Sequence, residues 1–288
     1  MFASIVLPLV AVNSVEHLTF YGREAHAFFL SQVSRVDAAL AADLHADQQR
    51  KAFTVSSVLS AAPSTDSIPR IEKGKPYRLR ITCLKDDLSN LMLEKVLPAL
   101  PQKVRLGEAE FETAEPVTDA AMDPWAGCAT SDALMSKWFG AGTALTNRID
   151  LEFASPTVFK RQGLMFVLPL PQLVWGSYLA AWNEFASPGF DLKALTTLEH
   201  DVQISRYQLR TRAVKGQTIS QPSESARETI FKFGFVGRCA YTIFRPERAL
   251  WRTLHLLADF SFFCGTGYKT TQGMGQTRRV ERPPTTDR

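Results

Sequence analysis

Cysteines are sparse in this chain, and none lies close to another. Cys83, Cys128, Cys239 and Cys264 are its only four, with no C-x-x-C and no cysteine–histidine pairing at zinc-finger spacing. A disulfide framework and the usual structural zinc sites are thereby excluded, and reduced thiols are expected. Long hydrophobic runs are missing too. The apolar stretch at residues 2–12 contains Pro8, has no basic residues before it and falls far short of a bilayer span, so it reads as a buried strand and a cytoplasmic protein is expected. No G-x-x-x-x-G-K-[ST] opens a helix after a strand, and no G-x-G-x-x-G sits in a βαβ unit, which removes the common nucleotide-binding loops. Charge is not concentrated in one sign. The 33 basic and 29 acidic residues leave a net +4, which permits a polyanionic partner without demanding one.

What the chain does have is a glycine-rich stretch near its end, Gly265-Thr266-Gly267-Tyr268-Lys269-Thr270-Thr271-Gln272-Gly273-Met274-Gly275-Gln276-Thr277-Arg278-Arg279. Glycine tolerates positive φ and lacks a Cβ, so successive N–H groups can converge on a phosphate, with Lys269, Arg278 and Arg279 supplying charge. The same spacing equally suits a hairpin closing a sheet edge. The cations Lys269, Arg278, Arg279, Arg282 and Arg288 outweigh Glu281 and Asp287 over this end of the chain.

Hydrophobic period supplies the fold. Residues 2–12 read as a strand, 24–45 as one amphipathic helix (Phe29, Val33, Val36, Leu40, Leu44), 53–59 as a strand and 62–75 as a loop. Tyr77, Leu79, Ile81 and Cys83 alternate with polar residues as a half-buried strand does; a second helix follows around Leu88–Leu93, closed by Pro98, and 105–117 alternates again. The order is β-α-β-β-α-β. Residues 119–147 show no sustained period and are assigned as a linker, after which the pattern restarts: a strand from Ile149, a helix after Pro171, strands at 202–213 and 229–244, a helix after Pro246, the glycine-rich stretch and a last strand. An α+β protein of tandem ferredoxin-like (βαββαβ, RRM-like) domains is therefore expected, with domains at 1–118 and 148–288. Phe231, Phe233 and Phe235 alternate along one strand and read as a core face.

Three segments carry a family resemblance: Leu40-Ala41-Ala42-Asp43-Leu44-His45 followed by Lys51-Ala52-Phe53-Thr54-Val55-Ser56; Asp150-Leu151-Glu152-Phe153-Ala154-Ser155-Pro156-Thr157-Val158-Phe159; and the glycine-rich stretch with its G-x-G…G-x-G ending. In this order they resemble the CRISPR-associated endoribonucleases that cut repeat RNA, members of the RAMP superfamily. The resemblance implies cleavage of CRISPR precursor RNA in a prokaryotic cytoplasm, without metal or cofactor, by attack of a 2′-hydroxyl on the adjacent phosphate. Products would carry 2′,3′-cyclic phosphate and 5′-hydroxyl ends. It also implies crRNA and effector-complex subunits as partners, and leaves open a second reading, a RAMP subunit that binds RNA without cutting it. The resemblance implies no particular oligomeric state.

His45 matches the family's general acid/base and Lys51, six residues on, the lysine that holds the scissile phosphate; Leu30 stands where some relatives place a tyrosine. Imidazole titrates near neutrality, as proton transfer requires. By chemistry alone, His45 also suits a helix C-terminus, where a cation meets the dipole. His26 is a competing catalytic histidine, with Tyr21 as a companion. An unbroken helix would hold His26 and His45 roughly 28 Å apart. His255 reads as a packed histidine of the last helix. RNA contacts are expected from the backbone of Gly265, Gly267, Gly273 and Gly275, from Lys269, Arg278 and Arg279, and from Lys160, Arg161 and Arg148.

Overall fold

The computed structural model describes residues 1–17, 19–46, 50–61, 70–191, 198–220 and 227–281, and the side chains of 199, 215–220 and 227–232 are outside it. Part of the loop read at 62–75, the side chain of Phe231, and Arg282 and Arg288 thus lie outside the described residues. In chain order the elements are β1 (Phe2–Ala11), α1 (Gly22–Val36), α2 (Ala38–Ala46), β2 (Phe53–Val55), β3 (Leu59–Ser60), β4 (Pro76–Cys83), α3 (Asp86–Leu91), β5 (Lys103–Leu106), β6 (Ala109–Thr113), β7 (Gly127–Ala129) and α4 (Ser131–Phe139). Then come β8 (Arg148–Thr157), the small hairpin β9 (Phe159–Arg161) and β10 (Leu164–Phe166), α5 (Pro171–Phe185), α6 (Leu198–Asp201), the long ribbon β11 (Val202–Ser220) and β12 (Arg227–Ile243), α7 (Arg248–Cys264) and β13 (Thr277–Arg279).

One sheet runs β2-β4-β1-β6-β5, with β3 also on β4 and β7 also on β1; the other runs β11-β12-β8-β13. In each, the first strand of a pass (β1, β8) sits between the third (β4, β12) and the last (β6, β13), with the second at the outside, and the pairings are antiparallel. This is the ferredoxin-like order twice over, so the fold is α+β with tandem ferredoxin-like passes.

β1 reads as an unbroken apolar run because both of its faces are covered. Ala3, Ile5, Leu7 and Leu9 pack with Phe29 and Val33 of α1, while Phe2 on the other face packs with Trp182, Phe260 and Phe263 of the second pass. The two cores therefore share a strand. At their junction lies Arg80 of β4, fully buried. Its Nε donates to Ser4 Oγ (2.8 Å) and the Trp125 carbonyl (3.0 Å), Nη1 to Gln276 Oε1 (2.7 Å) and Nη2 to the Phe262 carbonyl, and the guanidinium lies over the Trp125 and Phe262 rings. Burial lowers its pKa to about 9, still cationic at neutral pH.

Three sequence expectations need revision. The helix expected at 24–45 is two helices: Asp37 takes extended backbone (φ −147°, ψ 95°) as the C-cap of α1, while its Oδ1 accepts from Leu40 N–H at 2.9 Å in the first turn of α2. Residues 119–147 contain β7 on the edge of the first sheet and α4, whose Thr130 N-cap accepts from Ala133 N–H at 3.1 Å. Phe233 is exposed at 53% whereas Phe235 is buried, because β8 stops pairing with β12 at Phe235 and the ribbon runs on beyond the core. Among the described residues no helix is long and apolar enough to cross a membrane.

Candidate active site

α7 stops at Gly265, whose φ of +66° suits glycine and whose N–H closes the last turn on the Ser261 carbonyl at 2.9 Å. The chain then lies along the end of β8, with Tyr268 N–H donating to Val158 O (2.8 Å) and Thr266 N–H to Gly275 O (2.8 Å). At Gly275 any Cβ would fall inside contact distance of the Thr266 carbonyl, which excludes a side chain. Beneath the loop a buried hydroxyl chain from Tyr178 through Thr266 to Thr277, 2.7 Å per step, fastens it to α5. In its middle the loop crosses to the first sheet. Gly273 N–H donates to Val55 O of β2 at 2.8 Å, and the Thr271 carbonyl accepts from His26 Nδ1 at 2.9 Å. Residues 267–272 thus wall a cleft of about 460 Å³ together with Arg50, Lys51, Leu84, Ala181 and Cys264.

The glycines work differently from the expectation. Their N–H groups are all spent inside the protein: Gly265 on Ser261 O, Gly267 on Ser177 Oγ (3.2 Å), Gly273 on Val55 O and Gly275 on Pro156 O (3.0 Å). Bare backbone here lets the loop press against β8, β2 and α5, and so aims the turn between the glycines at the cleft. Convergence of these four amides on a phosphate is not what the loop presents.

His26 is partly buried and stacked on Phe53, with ring centroids 5.6 Å apart. A carbonyl can only accept, so Nδ1 carries the proton toward Thr271 and Nε2 is the acceptor of the neutral ring. Burial draws its pKa below 6.5; the charges of His45 and Lys51 push the same way and the Thr271 bond opposes them. The break at Asp37 turns α2 off the axis of α1, so His45 lies near enough to influence His26, and the separation of an unbroken helix does not hold. His45 is exposed in the last turn of α2. Lys51 Nζ donates to the Leu44 and His45 carbonyls at 2.7 and 3.2 Å, capping that helix end.

The remaining expected RNA contacts divide by place. Lys269 holds a left-handed backbone (φ +60°), uncommon for a residue with a side chain, and lines the cleft; Lys160 on β9 and Lys269 both put Nζ near the Tyr268 ring. Arg161 is exposed beside Lys160. Arg278 and Arg279 line a second cleft of about 510 Å³ with Arg238 and Lys137. There Arg278 pairs with Glu152 (2.7 Å) over Trp125, and Arg279 pairs with Asp259 (3.5 Å) over Trp138. Arg148 makes a two-pronged pair with Asp150, both bonds 2.8 Å, at the end of β8 away from the loop. His255 is buried, bonded to the Thr146 carbonyl and stacked on Trp138, a packed histidine with its pKa lowered by burial to about 4. Sequence reasoning passed over Arg50 and Tyr268; their one signal is adjacency, Arg50 to Lys51 and Tyr268 to Lys269.

Comparisons with known proteins bear on the family and the fold. Residues 151–277 match the family profile described as CRISPR-associated endoribonuclease Cas6, and residues 1–136 match the CRISPR Cas6 N-terminal domain. Among solved structures, a Cas6 product complex is 27% identical with a TM-score of 0.77, covering 97% of this chain and 100% of its own. A Thermus thermophilus Cas6 is 25% identical (TM-score 0.69; 97% and 98% covered). Another Cas6 product complex, 24% identical with a TM-score of 0.74 and 97% and 99% covered, supports the fold alone. Comparison with curated protein sequences returns no match.

Proposed function

The chain belongs to the Cas6 family of CRISPR-associated endoribonucleases, and from that premise we propose that it cuts CRISPR precursor RNA within its repeats by a metal-independent transesterification. In this reading the 2′-oxygen attacks the adjacent phosphorus, the P–O5′ bond breaks, and the fragments carry a 2′,3′-cyclic phosphate and a 5′-hydroxyl. One imidazole accepts the 2′-hydroxyl proton and another group gives a proton to the departing 5′-oxygen. His26 Nε2, the acceptor nitrogen of a neutral ring fixed by Thr271 and Phe53, suits the first task. His45, exposed in the last turn of α2, suits the second, and Lys51 and Lys269 stabilise the charge that builds on the phosphorane.

The observation that carries the reading is the bridge made by the glycine-rich loop. Its bonds to Val55 and His26 hold the turn that carries Lys269 against His26, and the cleft it walls is lined by Arg50, Lys51 and Lys269 with no acidic residue among the described residues lining it. Incubation of the purified chain with repeat RNA in EDTA tests it. Cleavage with cyclic-phosphate ends is expected, reduced about 10²- to 10⁴-fold by His45→Ala. Binding without cleavage would return the RNA-binding-subunit reading, and cleavage indifferent to both His45→Ala and His26→Ala would remove the histidines from the mechanism.

A further inference from the structure

We propose that Arg50 is a further catalytic residue of the cleft, its guanidinium holding the two non-bridging oxygens of the scissile phosphate; the inference rests on the RNA-cleaving reading above. Arg50 lies in the connection between α2 and β2, next to Lys51, and lines the cleft together with the turn at 267–272. Thr271, whose carbonyl holds His26, lines the same cleft. The charge of Arg50 also reaches the end of α7. Burial raises the Cys264 thiol to about 12, and among the influences opposing burial the charge of Arg50 is the largest.

What sets Arg50 apart is that nothing holds its head group. The residue is exposed and makes no hydrogen bond, ion pair or ring contact among the described residues. The neighbouring cations are engaged: Lys51 Nζ donates to the Leu44 and His45 carbonyls, and Lys269 Nζ lies 5.8 Å from the Tyr268 ring centroid. Arg278 and Arg279, in the other cleft, are paired with Glu152 and Asp259. A guanidinium is planar, and its N–H donors form a fork that matches two oxygens of one phosphate. It stays protonated at working pH and so neither takes nor gives the protons of the reaction. Its task therefore differs from that of the histidines. As the 2′-oxygen adds to phosphorus and the P–O5′ bond breaks, charge builds on the non-bridging oxygens, and two N–H groups aimed at that pair stabilise the phosphorane more than the diester it comes from.

The test is single-turnover cleavage of repeat RNA in EDTA with protein in saturating excess, beside affinity for the same RNA carrying a 2′-deoxy nucleotide at the cut position. Arg50→Ala should lower the cleavage rate about 10²- to 10³-fold and weaken affinity by a smaller factor. Arg50→Lys should recover part of the rate. Dilute guanidinium chloride should speed Arg50→Ala but not the parent, and sodium chloride at the same ionic strength should do neither. Cleavage by Arg50→Ala at the parent rate, with both folded by circular dichroism, would overturn the proposal. So would a loss that disappears at saturating protein, or one that neither Arg50→Lys nor guanidinium restores. Failure of the parent itself to cleave would instead strike the RNA-cleaving reading.

Discussion

The residue that separates function from scaffold most sharply is His26. Its ring is held on both sides, by the Thr271 carbonyl and by Phe53, and burial keeps its pKa below 6.5. The unfolded chain takes up a proton near 6.5 that the folded chain refuses until the pH is lower, so this group's stabilising contribution is complete above about 6.5 and is lost as pH falls toward the folded value. The same direction governs catalysis. If neutral Nε2 accepts the 2′-hydroxyl proton, kcat/KM plotted against pH should fall on the acid side only below 6.5, and that limb should vanish in the residual activity of His26→Ala. An acid limb unchanged in the variant would assign His26 to holding the loop. The candidate histidines could be singled out in the sequence because their type is rare: the chain has five, and two of them lie on α1 and α2. That Tyr268 lines the cleft was not legible, since the wall it shares with Leu84 and Ala181 is made by segments far apart in sequence.

At the scale of elements, the two β-α-β-β-α-β passes were readable because each strand and helix buries a face with its own period, as Phe29 and Val33 do on α1 and Leu250, Leu254 and Leu257 on α7. The break at Asp37 was not. Val33, Val36, Leu40 and Leu44 keep three- and four-residue steps straight across it, and hydrophobic period is blind to a single extended residue that caps one helix and starts the next. That residue sets where His45 sits. Asp37→Ala removes the acceptor for Leu40 N–H and should cost about 1 kcal/mol of stability, with a loss of cleavage larger than the loss of RNA affinity, as misplaced His45 implies. Urea titration alongside single-turnover kinetics measures both; an unchanged cleavage rate would show that α2 keeps its direction without the cap. α4 escaped sequence reading for another reason: only Leu134 and Trp138 of its nine residues are buried, too short a stripe to show a period.

The whole molecule is two similar passes joined where their cores meet, and the candidate site lies at the join. Neither pass holds both parts: the histidines and Lys51 belong to the first, while Tyr268, Lys269 and Lys160 belong to the second. Arg80 binds the strands of the first pass to the end of α7 and to Gln276 of the loop, and the loop itself hydrogen-bonds to β2 and His26. That long-range pairing carries no local pattern, which is why a sequence can announce the loop without disclosing what it faces. The most direct measurement is a structure of the chain bound to repeat RNA carrying a single 2′-deoxy nucleotide at the cut position. The scissile phosphate is expected between the turn at residues 267–272 and the histidines, within hydrogen-bonding reach of Lys51 or Lys269. A scissile phosphate seated instead in the cleft of Arg278 and Arg279, away from both His26 and His45, would contradict it.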